Sequence, residues 1–298
     1  NGGTLTVQSG ADIQASADSA AQSGWGIVTT GGALDIQGGT ISGRGGVFVN
    51  QGTQNASISG ASISTVNADI DHPALRINAD AVNLPIGNDT TLSGSNAITM
   101  EAGNAALEGN AGLVVIVSGS FELISGNVNN LTITGGTAKV SGGAITWLNA
   151  ENDGNAVIGN GTVSETIKLD GRAAVTVNGG TVKNAEVESS TANLYANGGA
   201  FTGQIHLAAG NSTVHTNGQA SIGEICLEGQ DAQVLLSGIP AQEQAIVLNV
   251  GSANLREEQI VVRPEGTLAD ASAALGKFAL TSPTDHQFTL EGKEYDII

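Results

Sequence analysis

Short runs of alternating apolar and polar positions recur along the chain: Leu34-Asp35-Ile36, Leu131-Thr132-Ile133, Val175-Thr176-Val177, Leu194-Tyr195-Ala196 and Val214-His215-Thr216. Alternation at period two predicts β-strands whose first and third residues face a core and whose middle residue faces out. A second set reads Ile167-Lys168-Leu169, Ile205-His206-Leu207 and Ile225-Cys226-Leu227. Between the sets stands a recurring phrase of a small polar residue followed by glycine, as in Thr134-Gly135-Gly136-Thr137, Gly159-Asn160-Gly161-Thr162, Asn178-Gly179-Gly180-Thr181, Asn197-Gly198-Gly199-Ala200 and Asn217-Gly218-Gln219-Ala220. Glycine adopts positive φ without strain, so the phrase predicts sharp corners between short strands.

From residue 159 to Ser237-Gly238 the phrases are 19, 19, 20 and 20 residues apart. Ser9-Gly10, Gln37-Gly38, Ser59-Gly60, Ser93-Gly94 and Ser118-Gly119 extend the series backwards, giving eleven phrases between residues 9 and 237. A fixed period of this size marks one structural unit stacked many times, because a single rung of two or three short strands cannot bury its own apolar face. Rungs that pair in parallel at about 4.8 Å would stack to roughly 50 Å. The interior is expected to hold small apolar residues. Asn178, Asn197 and Asn217 recur at one rung position, where stacked amides would hydrogen-bond along the axis. The irregular segments 15–24 and 67–89, the second with Pro73 and Pro85, are expected to be loops.

After about residue 243 the pattern changes. Residues 244–298 hold 12 of the 38 charges and 4 of the 43 glycines. This region is expected to cap the last rung or join it to a following module, with a helical turn within 266–275 and a hairpin at Glu291-Gly292-Lys293. The chain starts at Asn1-Gly2-Gly3, inside the repeat, and is expected to be part of a longer chain.

This organisation resembles the right-handed parallel β-helix proteins. More narrowly, it is similar to the Gly/Asn/Ser/Thr-rich β-helices of the bacterial surface: adhesins, autotransporter-like passengers and large repeat proteins of gut bacteria. The resemblance covers residues 1–243. It implies an all-β solenoid of about eleven rungs with a small C-terminal cap, secreted or held at the cell surface. It also implies a non-enzymatic adhesin or stalk that meets a cell-surface glycan or a host protein. The same fold carries pectate lyases, polygalacturonases and phage tailspikes, so the fold alone does not choose among these.

Composition sharpens this picture. Forty-three glycines against five prolines, with 40% apolar residues, exclude both collagen and plain disorder. A net charge of −18 repels nucleic acid and anionic membranes. No apolar run is long enough to span a membrane as a helix. Cys226 is the one cysteine, so no intrachain disulfide forms, and it is expected to be a small residue filling a repeat position.

Chemistry is sparse. Asp69-Ile70-Asp71-His72 with Arg76 and Asp80 is the best acidic cluster, and alternation would place Asp69 and Asp71 on one side. In the alternative reading, a polysaccharide lyase or glycoside hydrolase of the β-helix type acting on acidic polysaccharide, Asp69, Asp71 and Arg76 would be catalytic. Asp69, Asp71 and Asp80 would hold one Ca²⁺, and no other cofactor is called for. The paired-aspartate and Arg-x-Lys sets of such enzymes are missing from the sequence, as is the nine-residue calcium repeat. With aromatics at 3%, the binding candidates are Tyr195 and His215, outward residues of one strand in successive rungs, and Trp147. Thr176 and Leu235 extend the column of Tyr195, and His206 and His215 are close enough in sequence to face one side.

Overall fold

The computed structural model describes residues 2–15, 24–66, 72–250, 260–265, 271–281, 288–291 and 294–297. The chain is a parallel β-solenoid of about 11 turns, 62% strand and 2% helix. It divides into two units, residues 1–146 and 147–298.

The first unit carries three lines of parallel strands. One runs through Thr4–Val7, Gly32–Ile36 and Thr53–Ile58, and later through Ser120–Leu123 and Thr137–Val140. A second runs through Asp12–Gln14, Gly39–Gly43, Ala61–Thr65 and Thr91–Ser93. The third begins with Trp25–Thr29 and Gly45–Asn50 and continues into Leu75–Ile86. That last strand corrects the loop expected over 67–89. Its residues alternate between buried and outward positions, and Pro85 takes an outward one, so it costs one ladder donor without ending the strand. Residues 16–23 and 67–71 lie outside the described residues.

The core is not built from small residues. Ile, Leu and Val dominate it, in columns such as Ile36, Ile58, Ile86, Leu107, Leu123 and Val140. Stacked β-branched and leucine side chains repeat their contacts at every rung, which alanine would not. Fully buried Phe121 lies between Ala105 and Ala138 of the adjoining turns, which leave room for its ring.

In the second unit a short strand and a long strand alternate. The short strands are Asn155–Ile158, Ala174–Val177, Asn193–Ala196, Thr213–Thr216 and Gln233–Leu236. The long strands Thr162–Leu169, Thr181–Val187, Ala200–Leu207 and Ser221–Leu227 pair with shifts such as that between Val182 and Ala185, where a bulge divides each into two straight parts. Parallel pairing continues beyond residue 243, through Ile246–Val250 and Ile260–Pro264 to Phe278–Thr281. A five-residue helix, Ala271–Leu275, precedes that last strand. Phe288–Glu291 and Glu294–Ile297 form an antiparallel hairpin, and the latter also meets Ile260–Pro264 antiparallel.

The paired glycines at the corners answer two demands, close approach at both and positive φ at the second. The first approaches the previous turn closely: a Cβ on Gly179 would stand 2.3 Å from the Gly159 carbonyl oxygen, and one on Gly198 2.3 Å from that of Asn178. The second holds positive φ, 77° at Gly180 and 72° at Gly199. The phrase does not mark one corner throughout. At residues 178 and 197 it follows the short strand line, where the Asn178 and Asn197 N–H groups donate to the Ile158 and Val177 carbonyls, whereas Thr134 follows the third line of the first unit, donating to Ile116. Nor do Asn178, Asn197 and Asn217 form an amide ladder: the Asn217 oxygen accepts locally from the Gln219 N–H. Amide bonds between turns form instead from Asn104 to Asn83 (2.8 Å) and from Asn127 to Asn110 (3.1 Å).

Candidate binding surface

Parallel register makes every outward residue the neighbour of an outward residue one turn away, so side chains on the surface fall into columns. In the first unit Val28, Phe48, Arg76 and Thr99 form one column. Trp25, in register with Gly45, leans across it. The Trp25 and Phe48 ring centroids are 5.2 Å apart, those of Trp25 and His72 5.7 Å, and the Arg76 guanidinium carbon sits 5.0 Å from the Phe48 centroid. Trp25, Phe48 and His72 are half-buried, and Val28 is exposed. Arg76 is gripped by Glu101: Nε donates to Oε2 at 3.1 Å and Nη2 to Oε1 at 2.6 Å. Arg76 is therefore a fixed, neutralised cation.

Of the acidic candidates beside it, Asp69 and Asp71 lie outside the described residues. Asp80 is exposed and accepts from Gln51 Nε2 at 3.3 Å. Among the described residues no group of three or more His, Cys, Asp or Glu side chains converges to hold a metal ion.

In the second unit Tyr195 and His215 are direct register partners, with ring centroids 4.6 Å apart and planes 31° from parallel. Thr176 precedes them in the column and Leu235 follows. His215 Nδ1 lies 2.7 Å from Glu265 Oε1, and its Nε2 3.4 Å from Thr213 Oγ1, so both ring nitrogens have partners. Trp147 is 44% exposed and makes no ring contact with this pair. His206 and His215 do not share a side: His206 belongs to a long strand and His215 to a short one.

The column of His206 went unread in the sequence. It runs Lys168, Glu186, His206, Cys226, Asn249. His206 Nε2 lies 2.5 Å from Glu228 Oε2 and Nδ1 3.7 Å from Glu186 Oε1, while Lys168 pairs with Glu188 at 2.7 Å. Cys226 is half-buried in this outward column. Its burial, and then the charges of Glu228 and Glu224, push the thiol up from its ordinary value, which disfavours the reactive thiolate.

The ion pairs share one geometry. Arg76–Glu101, Lys139–Glu122, Lys168–Glu188, Arg172–Asp153 and Lys183–Glu165 each join residues 17 to 25 apart in sequence, one turn to the next. The Arg172 guanidinium holds the Asp153 carboxyl below its usual range by direct hydrogen bonds. Lys139 and then Ser141 do the same for Glu122. Near Glu122, the residues Asn83, Leu84, Pro85, Asn104 and Ala105 line an open depression of about 320 Å³.

These features define a class by architecture, a parallel β-solenoid with columned polar and aromatic faces. No protein-family model, curated protein or solved structure matches the chain.

Proposed function

We infer that the chain is a non-enzymatic, secreted protein of the bacterial cell surface, an adhesin or stalk that binds a glycan or protein ligand. The observation that carries this reading is how its ionisable candidates are used. Arg76 is clamped by Glu101, His206 sits between Glu186 and Glu228, and His215 is tied to Glu265. These groups serve to tie turns together, one or two turns apart, and aromatic side chains share the outward faces of Arg76 and His215. A stack of short parallel strands offers a rigid face with side chains repeating at about 4.8 Å, suited to recognising an extended ligand without moving. The test is binding of the fluorescently labelled chain to glycan and host-protein arrays. Saturable binding to a defined ligand supports the reading. A uniform blank removes the adhesin role, and release of unsaturated or reducing ends from polygalacturonate, with or without Ca²⁺, replaces it with an enzyme.

A further inference from the structure

We propose that Trp25, Phe48 and the Arg76–Glu101 pair form a binding site for a neutral pyranose-containing glycan. The inference rests on the surface-binding reading above and names its ligand class and place. Three carbons of the Trp25 ring lie 2.5 to 2.7 Å from where a Gly45 Cβ would stand, so the indole lies across Gly45 and is seated by the missing side chain. Phe48 lies between this indole, 5.2 Å away, and the Arg76 guanidinium, 5.0 Å away. The result is a strip of π faces ending in a fixed guanidinium–carboxylate pair.

Charge selects among occupants of such a strip. A quaternary ammonium would seek the same π faces, but the Arg76 guanidinium already occupies a face of Phe48. A polyuronate would seek Arg76, but Glu101 neutralises it and the chain as a whole carries −18. A neutral pyranose meets neither penalty. Its C–H face stacks on the Trp25 indole, which Phe48 supports from the side, and its hydroxyls donate to the Glu101 carboxylate and accept from the Arg76 N–H groups that the ion pair leaves over.

The experiment uses the full chain with Trp147→Phe, which leaves Trp25 as the sole indole of the two in the sequence. Its emission is titrated with gluco-, xylo-, manno- and N-acetylglucosamine hexasaccharides, with polygalacturonate, and with phosphocholine. The expected result is a saturable shift with at least one neutral hexasaccharide and none with the two charged probes. Phe48→Ala weakens that binding about tenfold. Trp25→Ala abolishes it by calorimetry, and Trp25→Phe, which keeps an aromatic face and guards against misfolding of the alanine variant, retains it. Blank titrations with all neutral sugars, binding of a charged probe, or undiminished binding by folded Trp25→Ala overturns the proposal. If array ligands still bind under those outcomes, the site falls and the surface-binding reading stands; if arrays are blank as well, both fall.

Discussion

Tyr195 and His215 stand directly opposite each other on neighbouring turns, their ring centroids 4.6 Å apart. Offset aromatic pairs of this kind contribute about 0.5–1.5 kcal/mol beyond the area they bury. A double-mutant cycle of Tyr195→Ala and His215→Ala in urea unfolding is expected to show coupling in that range. Additive losses would mean the rings are merely adjacent.

The corner glycines predict a sharp contrast between positions of one residue type. Gly180→Ala places a Cβ at a φ of 77°, 2.3 Å from the Gly161 carbonyl oxygen. It is expected to cost about 2 kcal/mol or more in urea melts, from left-handed strain plus overpacking. At Gly223 the nearest atom to an added Cβ is the Gly203 oxygen, 3.9 Å away. Gly223→Ala is expected to be neutral, or to stabilise by about 0.5 kcal/mol through the unfolded chain. Equal effects at the two sites would contradict the assignment of corner and strand.

Glu122 titrates below its ordinary value of 4.5 because Lys139 and Ser141 bind its charged form. A carboxyl lowered by folding adds stability at pH values above its unfolded value, and that stability is lost as pH falls through the folded value. Lys139→Met is expected to raise the Glu122 titration midpoint, followed by carboxyl-carbon NMR, and to shrink the stability lost on acidification through this range. An unchanged midpoint would remove Lys139 as the cause.

The Cys226 thiol is raised by burial and by Glu228 and Glu224. Its reaction with iodoacetamide near neutral pH should be slower than that of a free cysteine, since only thiolate attacks. Glu228→Gln is expected to speed alkylation modestly, with mass spectrometry as the readout. Rapid alkylation of the parent chain would show a more open and less acidic setting.

The sequence made the Tyr195–His215 pair legible because the turns around it keep a constant period, so position in one turn predicts the neighbour in the next. The same period runs through Lys168, Glu186, His206 and Cys226, but strands considered singly hide such a column. The cluster around Trp25 was illegible for a physical reason. Register partners there are separated by 20 residues from Trp25 to Gly45, 28 from Phe48 to Arg76 and 23 from Arg76 to Thr99, so no single period finds them. The corner phrase misled at Thr134, because corners on different strand lines impose the same demand for positive φ and close approach. Where Asp69 and Asp71 point was open to alternation alone, and both lie outside the described residues.

Successive short strands of the second unit begin at residues 155, 174, 193 and 213, so each new turn closes a loop of about the same small size wherever it forms. β-Sheet proteins often fold slowly because their pairings join remote parts of the chain. Here these short strands find their partners 19 or 20 residues away. Assembly can therefore begin at any turn and spread to its neighbours, and damage to one turn is felt chiefly by the two beside it.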